Sequence, residues 1–148
     1  MRKTVLAMCL ALSFSGCAHL EALKEQNAAT SYVSKEIDDY DAEIVGEDMA
    51  KFLAGEFPAA KTTIYVEPSN TTLREVLAAE LSEKGFGILE IRPDKGAAVV
   101  LQYYVTELGN GILLRMRYQG KIASRYYGRK QDGDLSLSNK IAVREAAK

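Results

Sequence analysis

A chain of 148 residues, 47% of them hydrophobic, is long enough for one packed domain and too short for several. Lysine and arginine number 19 against 20 acids, a net charge of −1, which speaks against a strongly basic nucleic-acid binder. Two cysteines and one histidine exclude a disulfide framework, a Cys/His zinc cage and a histidine triad from the folded part.

The chain opens on Arg2 and Lys3, followed by an apolar run from Thr4 to Phe14. That run suits a signal-peptide core and is too short to span a bilayer. Ser15-Gly16-Cys17 closes it in the manner of a lipobox. Residues 1–16 are therefore expected to be a lipoprotein signal peptide, with Cys17 as the lipid attachment site. Cys9 leaves with the leader. The covalent diacylglycerol and acyl lipid on Cys17 is the only non-protein group expected, and no metal is. Two or three acyl chains at about 0.8 kcal/mol per buried methylene hold a protein firmly on a membrane. Ala18, where an Asp would favour inner-membrane retention, fits the outer-membrane pattern. The expected location is the outer membrane of a Gram-negative envelope, lipid-anchored and facing the periplasm.

Without Arg2 and Lys3 the balance is 17 basic to 20 acidic residues, a net −3. The charge is unevenly spread. Residues 18–60 hold ten acids and three lysines, and residues 111–148 hold nine bases and three acids. Two surfaces of opposite sign are one reading of this split, and an ordinary solvated surface is the other. Residues 17–43 contain His19, many small polar groups and the acidic run Glu36–Glu43. They bury too little to offset their ordering entropy and read as a flexible acidic tether. A single domain is expected over residues 44–148.

Ile44, Val45, Met49, Phe52 and Leu53 form one helical stripe, predicting a helix over 44–56 that stops before Pro58. Thr62–Val66 is a β-branched strand. Ser69 or Asn70 caps a second helix through Leu73, Val76, Leu77 and Leu81, closed by Gly85. Phe86–Ile91 and Ala97–Leu108 are the next strands. Asn110-Gly111 suits a type I′ turn, which sets Val105 opposite Met116. A three-residue loop, Tyr118–Gly120 with a bulge at Gly120, sets Met116 opposite Ile122. An edge strand is expected at 140–145. The result is an α+β fold: two helices on one face of a mainly antiparallel sheet, in the order α-β-α-β-β-β-β. The predicted core is Phe52, Leu53, Leu73, Val76, Leu77, Leu81, Val99, Leu101, Val105, Leu114, Met116 and Ile122.

No catalytic constellation emerges, so a non-enzymatic role is expected. Asp132 and Asp134 belong to turn chemistry, with too few ligands for calcium. The predicted register sets Arg115, Arg117, Arg125, Tyr127 and Arg129 together on the outer face of the hairpin. Arginine and tyrosine together are interface residues, so these five are the expected partner-facing site. The same mixture suits cell-wall or lipid phosphate ligands. Direct nucleic-acid binding is not expected of an exported, net acidic domain.

Several segments resemble the conjugal transfer lipoprotein family TrbH. They are the leader ending Ser15-Gly16-Cys17, the helix before Phe57-Pro58, and Thr72–Ile88. The tail is similar too: Leu114–Tyr118, Ile122–Tyr127, Asp132–Leu135 and Val143–Glu145. Ser136–Lys140 departs from the family pattern, which is aromatic-rich there. The resemblance implies a structural, non-catalytic component of a mating-pair formation apparatus, a type IV secretion system. Its implied partners are other envelope secretion or conjugation proteins, with a homo-oligomer or ring among the options. A stand-alone envelope lipoprotein with a cell-wall or lipid ligand, and a surface-exclusion lipoprotein, remain alternatives.

Overall fold

The computed structural model describes residues 31–147, apart from residues 70 and 95. Cys17 and its leader lie outside the described residues, as does Asn70, one of the two expected helix caps. Among the described residues two α-helices and seven strands follow one another: β1 (Tyr32–Val33), α1 (Asp39–Glu56), β2 (Thr63–Val66), α2 (Thr72–Glu83), β3 (Gly87–Leu89), β4 (Val99–Glu107), β5 (Gly111–Tyr118), β6 (Lys121–Gly128) and β7 (Ala142–Glu145).

The strands form one mixed sheet in the order β3-β2-β4-β5-β6-β7, with β1 also paired to β4. β2 runs parallel to β3 and to β4, and β1 runs parallel to β4 beyond the end of β2. The longer pairings, β4-β5-β6-β7, are antiparallel. Both helices cover the same sheet face, as the apolar patterns require.

The first helix begins at Asp39, five residues before the expected start at Ile44. The acidic run read as tether contains the reason. Asp38 caps the helix, its carboxylate accepting from the Asp41 N–H at 2.8 Å. Asp39 and Asp41 then sit in the first turn, where the helix dipole favours acids. Residues 32–33 pair with Tyr104 and Val105, so part of the expected tether belongs to the sheet. α2 ends as expected. Gly85, at φ 90°, donates to the Ser82 carbonyl, and Phe86 donates to that of Leu81. Leu81 and Phe86 are both buried, which completes a Schellman closure. The helices touch closely where Gly46 faces Val76; a Cβ at Gly46 would lie 2.8 Å from Val76 Cγ1.

Both hairpin registers differ from the expected ones. Val105 faces Leu114, and the two-residue turn is Gly109-Asn110. The slide is by two residues, so every side chain keeps its predicted face. The β5–β6 loop is one residue shorter than expected. Tyr118 pairs with Lys121, and only Gln119 and Gly120 turn the chain, at φ 44° and 73°. Positive φ at both positions is the type I′ pattern, which matches strand twist without a bulge. Met116 therefore faces Ala123, and Arg117 faces Ile122. That odd shift turns the whole of β6 over.

The core forms between the helices and the inner sheet face. It includes Val45, Met49, Leu53, Leu73, Leu77, Leu81, Leu101, Val105, Leu114 and Met116. Tyr103 and Tyr127 are its largest fully buried side chains. Phe52 is only partly buried against this cluster. Ile122 is buried but lies on the opposite sheet face.

Candidate interaction surface

β6 carries Lys121, Arg125, Tyr127 and Arg129 toward α1, because its register with β5 puts them beside the inner-facing Tyr118, Leu114 and Ile112. Of the five expected partner-facing residues, Arg125, Tyr127 and Arg129 are thus on the helix side. The cause is the two-residue turn. What makes the inward cations tolerable is α1.

Asp41, Asp48 and Glu56 recur about every two turns of α1, steps of roughly 10–12 Å at 1.5 Å per residue. Arg129, Arg125 and Lys121 recur every four residues of strand, steps of about 13 Å. The two ladders run in opposite directions and meet at three places. Arg129 holds Asp41 through Nη1 and Nη2, and its Nη1 also donates to the Gly133 carbonyl at 3.0 Å. Arg125 Nη1 reaches both Asp48 oxygens, at 2.6 and 2.7 Å, while its Nη2 donates to the Leu137 carbonyl. Lys121 lies 3.6 Å from Glu56, which also accepts from the Tyr118 hydroxyl at 3.1 Å. Tyr127 donates to Asp48 at 2.7 Å, and its ring lies under the Arg125 guanidinium, 5.3 Å from centroid to Cζ.

Two of these pairs are sheltered, and the third, Lys121–Glu56, is 41% and 30% exposed. Asp41 is 1% exposed, and the Arg125 and Asp48 side chains are 9% and 11% exposed. Burial, and then the hydrogen bond to Asp48, pushes the Tyr127 hydroxyl far above its ordinary pKa. Burial and the bond to Glu56 raise Tyr118 to about 12. The bond to Asp41 raises Arg129 further. The sequence does carry a signal for this ladder: Asp41, Asp48 and Glu56 flank the apolar stripe Val45-Met49-Leu53. The signal depends on Asp41 being helical.

No described helix lies over the other sheet face. Arg115 and Arg117 stand there, exposed as expected. Arg115 lies between Tyr104 and Ser124, and Arg117 between Gln102 and Ile122. Arg144, on β7, shares this face beside Ile122 and is exposed. The outward positions of β4 to β7 bear no carboxylate. The helix side is the reverse: Glu43, Glu47, Glu75 and Glu83 are exposed there against Lys51, Lys84 and Lys130, of which Lys84 is already paired with Glu80. Among the described residues no group of His, Cys, Asp or Glu is arranged to hold a metal ion. No described helix is long and apolar enough to cross a membrane.

The class is therefore a small α+β domain with one sheet face locked to its helices by charge and the other face basic, with no described helix over it. The family model of the conjugal transfer protein TrbH matches residues 23–146, and the chain belongs to that family. Neither the curated proteins nor the solved structures contain a match to the chain.

Proposed function

We propose that this conjugal transfer protein is a lipid-anchored, non-catalytic scaffold subunit of the mating-pair formation apparatus at the outer membrane. The family match supports a role in conjugal transfer. The leader ending at Cys17 supports export and lipidation. The observation that carries the scaffold reading is the outer sheet face, where exposed Arg115 and Arg117 stand among Tyr104, Tyr126 and Ile122. That mixture of arginine, tyrosine and aliphatic surface is the composition of protein interfaces. Two sheltered carboxylates, Asp41 and Asp48, are engaged in structural pairs, which leaves them poorly suited to acid–base work, and the buried Glu67 lies 3.5 Å from Arg92. Arg125, Tyr127 and Arg129 serve that structure and are not offered as partner contacts.

Two measurements test the reading. Mass spectrometry of the mature product should find a diacylated Cys17 as its first residue; an unmodified thiol or an intact leader overturns the anchor. Affinity capture from detergent-solubilised envelopes should recover other transfer proteins with the wild-type chain. The R115E/R117E variant should lose them while remaining folded and membrane-bound. Recovery of a cell-wall or lipid ligand, with no transfer protein, would favour a stand-alone envelope lipoprotein instead.

A further inference from the structure

We infer that the occupant of the outer sheet face is a second copy of this chain, docked through its helix layer in a head-to-tail contact. This deepens the scaffold reading and rests on it. The argument is charge complementarity between two opposite faces of one domain. Arg115, Arg117 and Arg144 share the sheet face, and its outward positions on β4 to β7 hold no acid. Glu43, Glu47, Glu75 and Glu83 are exposed on the helix layer. None of these seven makes an ion pair among the described residues.

The spacings agree as well as the signs. Arg115 and Arg117 are two strand residues apart, about 7 Å. Glu43 and Glu47 are one helical turn apart, about 6 Å. Arg117 and Arg144 are separated by one intervening strand, about 10 Å. Neighbouring helix axes lie about 8–10 Å apart, so an acid on α2 falls within reach when one on α1 is engaged.

Symmetry selects among the ways two copies can meet. A two-fold contact apposes like surfaces, which here sets arginine on arginine or glutamate on glutamate. Only the unlike faces attract, so the contact is heterologous and propagates into a ring or a row. Exposed charge pairs are individually weak, so they fix orientation more than affinity. A shared membrane plane, by raising local concentration, would make weak contacts sufficient.

The test is sedimentation velocity on the full lipidated chain in detergent, as wild type and as two reversed variants. R115E/R117E makes both faces acidic; E43K/E47K lowers the acidity of the helix face and adds cations there. The wild type should associate at low ionic strength and loosen as salt is added. Each variant alone should associate about tenfold more weakly or worse. An equal mixture of the two should recover association, because each supplies the face that the other lacks. Circular dichroism checks that both fold, and the wild-type salt series stands even if one does not. A monomeric wild type at every salt, variants that associate like wild type, or a mixture no better than its parts overturns the inference. If the chain is monomeric yet still captures other transfer proteins, the scaffold reading survives and only self-docking falls.

Discussion

β5 and β6 are adjacent strands of similar length, and each carries two arginines nearby. Arg115 and Arg117 point away from the helices; Arg125 and Arg129 point toward them. The first pair meets no carboxylate, and the second pair is closed over Asp48 and Asp41. Nothing about the side chains themselves distinguishes the two pairs. The difference is one residue of loop between Tyr118 and Lys121, which decides whether an arginine acts as an internal strut or an external contact.

The strongest way to break this contrast is to remove the acid from the more sheltered pair. Asp48→Ala leaves Arg125 with only the Leu137 carbonyl and the Tyr127 hydroxyl without its acceptor. Stranding a sheltered charge costs about 3–5 kcal/mol, which urea unfolding of the chain should register. Replacing both partners with apolar residues, as in D48L/R125M, should recover most of that loss. A double variant no better than Asp48→Ala alone would mean that the pair itself, and not the stranded charge, provides the stability. Asp41→Ala should cost less, about 1–3 kcal/mol, because the Arg129 side chain is already 27% exposed and can rehydrate.

Alkaline titration breaks the same ladder by another route. Tyr118 is raised to about 12 and Tyr127 further, so folding favours their neutral forms. The sign follows from linkage: the stabilisation is complete below the ordinary phenol value near 10 and fades as pH climbs from there through 12. Unfolding free energy should therefore fall over that window. Phenolate absorbance should show the exposed tyrosines ionising first. Early ionisation of all of them would mean that the hydroxyls do not contact Glu56 and Asp48.

The two hairpins show which parts of the fold periodicity can supply. The β4–β5 register slid by two residues, and a slide by an even number leaves each residue on its face, so the core on β4 and β5 was still correctly named. The β5–β6 loop was misread by one, which inverted the face of Arg125, Tyr127 and Arg129 and hid the fully buried Tyr127. Keeping apolar residues of β6 inward demands the longer loop. That rule fails here because α1 supplies carboxylates to inward-facing cations, a long-range fact that no window of β6 contains. The start of α1 was hidden for a related reason. Asp38, Asp39 and Asp41 look like solvated tether until a cap, a dipole and the distant Arg129 give each a partner. Helix α2 rests on local cues alone, and its glycine closure is as expected, but the cap position is held by Thr71 rather than by Ser69 or Asn70.

The turn itself can be sharpened at modest cost. Gln119 holds a positive φ that a long side chain adopts reluctantly, whereas asparagine is suited to that position of a type I′ turn. Gln119→Asn should raise stability by about 0.5 kcal/mol in the same urea assay. A loss instead would favour the longer, bulged loop and return Arg125 to the outer face.

The smallest expected effect is the most discriminating. Arg115→Ala and Arg117→Ala remove exposed cations from a sheet face with no described helix above it, so stability should stay within about 0.5 kcal/mol of wild type. If either costs several times that, the outer arginines are also struts and the sheet face is not an open surface. A neutral result has a sharper meaning beside the loss expected for Asp48→Ala. Since lone exposed arginines contribute little to folding, any transfer defect in a folded, lipid-anchored R115A/R117A chain would belong to contact with a neighbour. Mating frequency measured alongside the melt therefore separates the two roles, because a strut variant lowers both readouts and a contact variant lowers only the first.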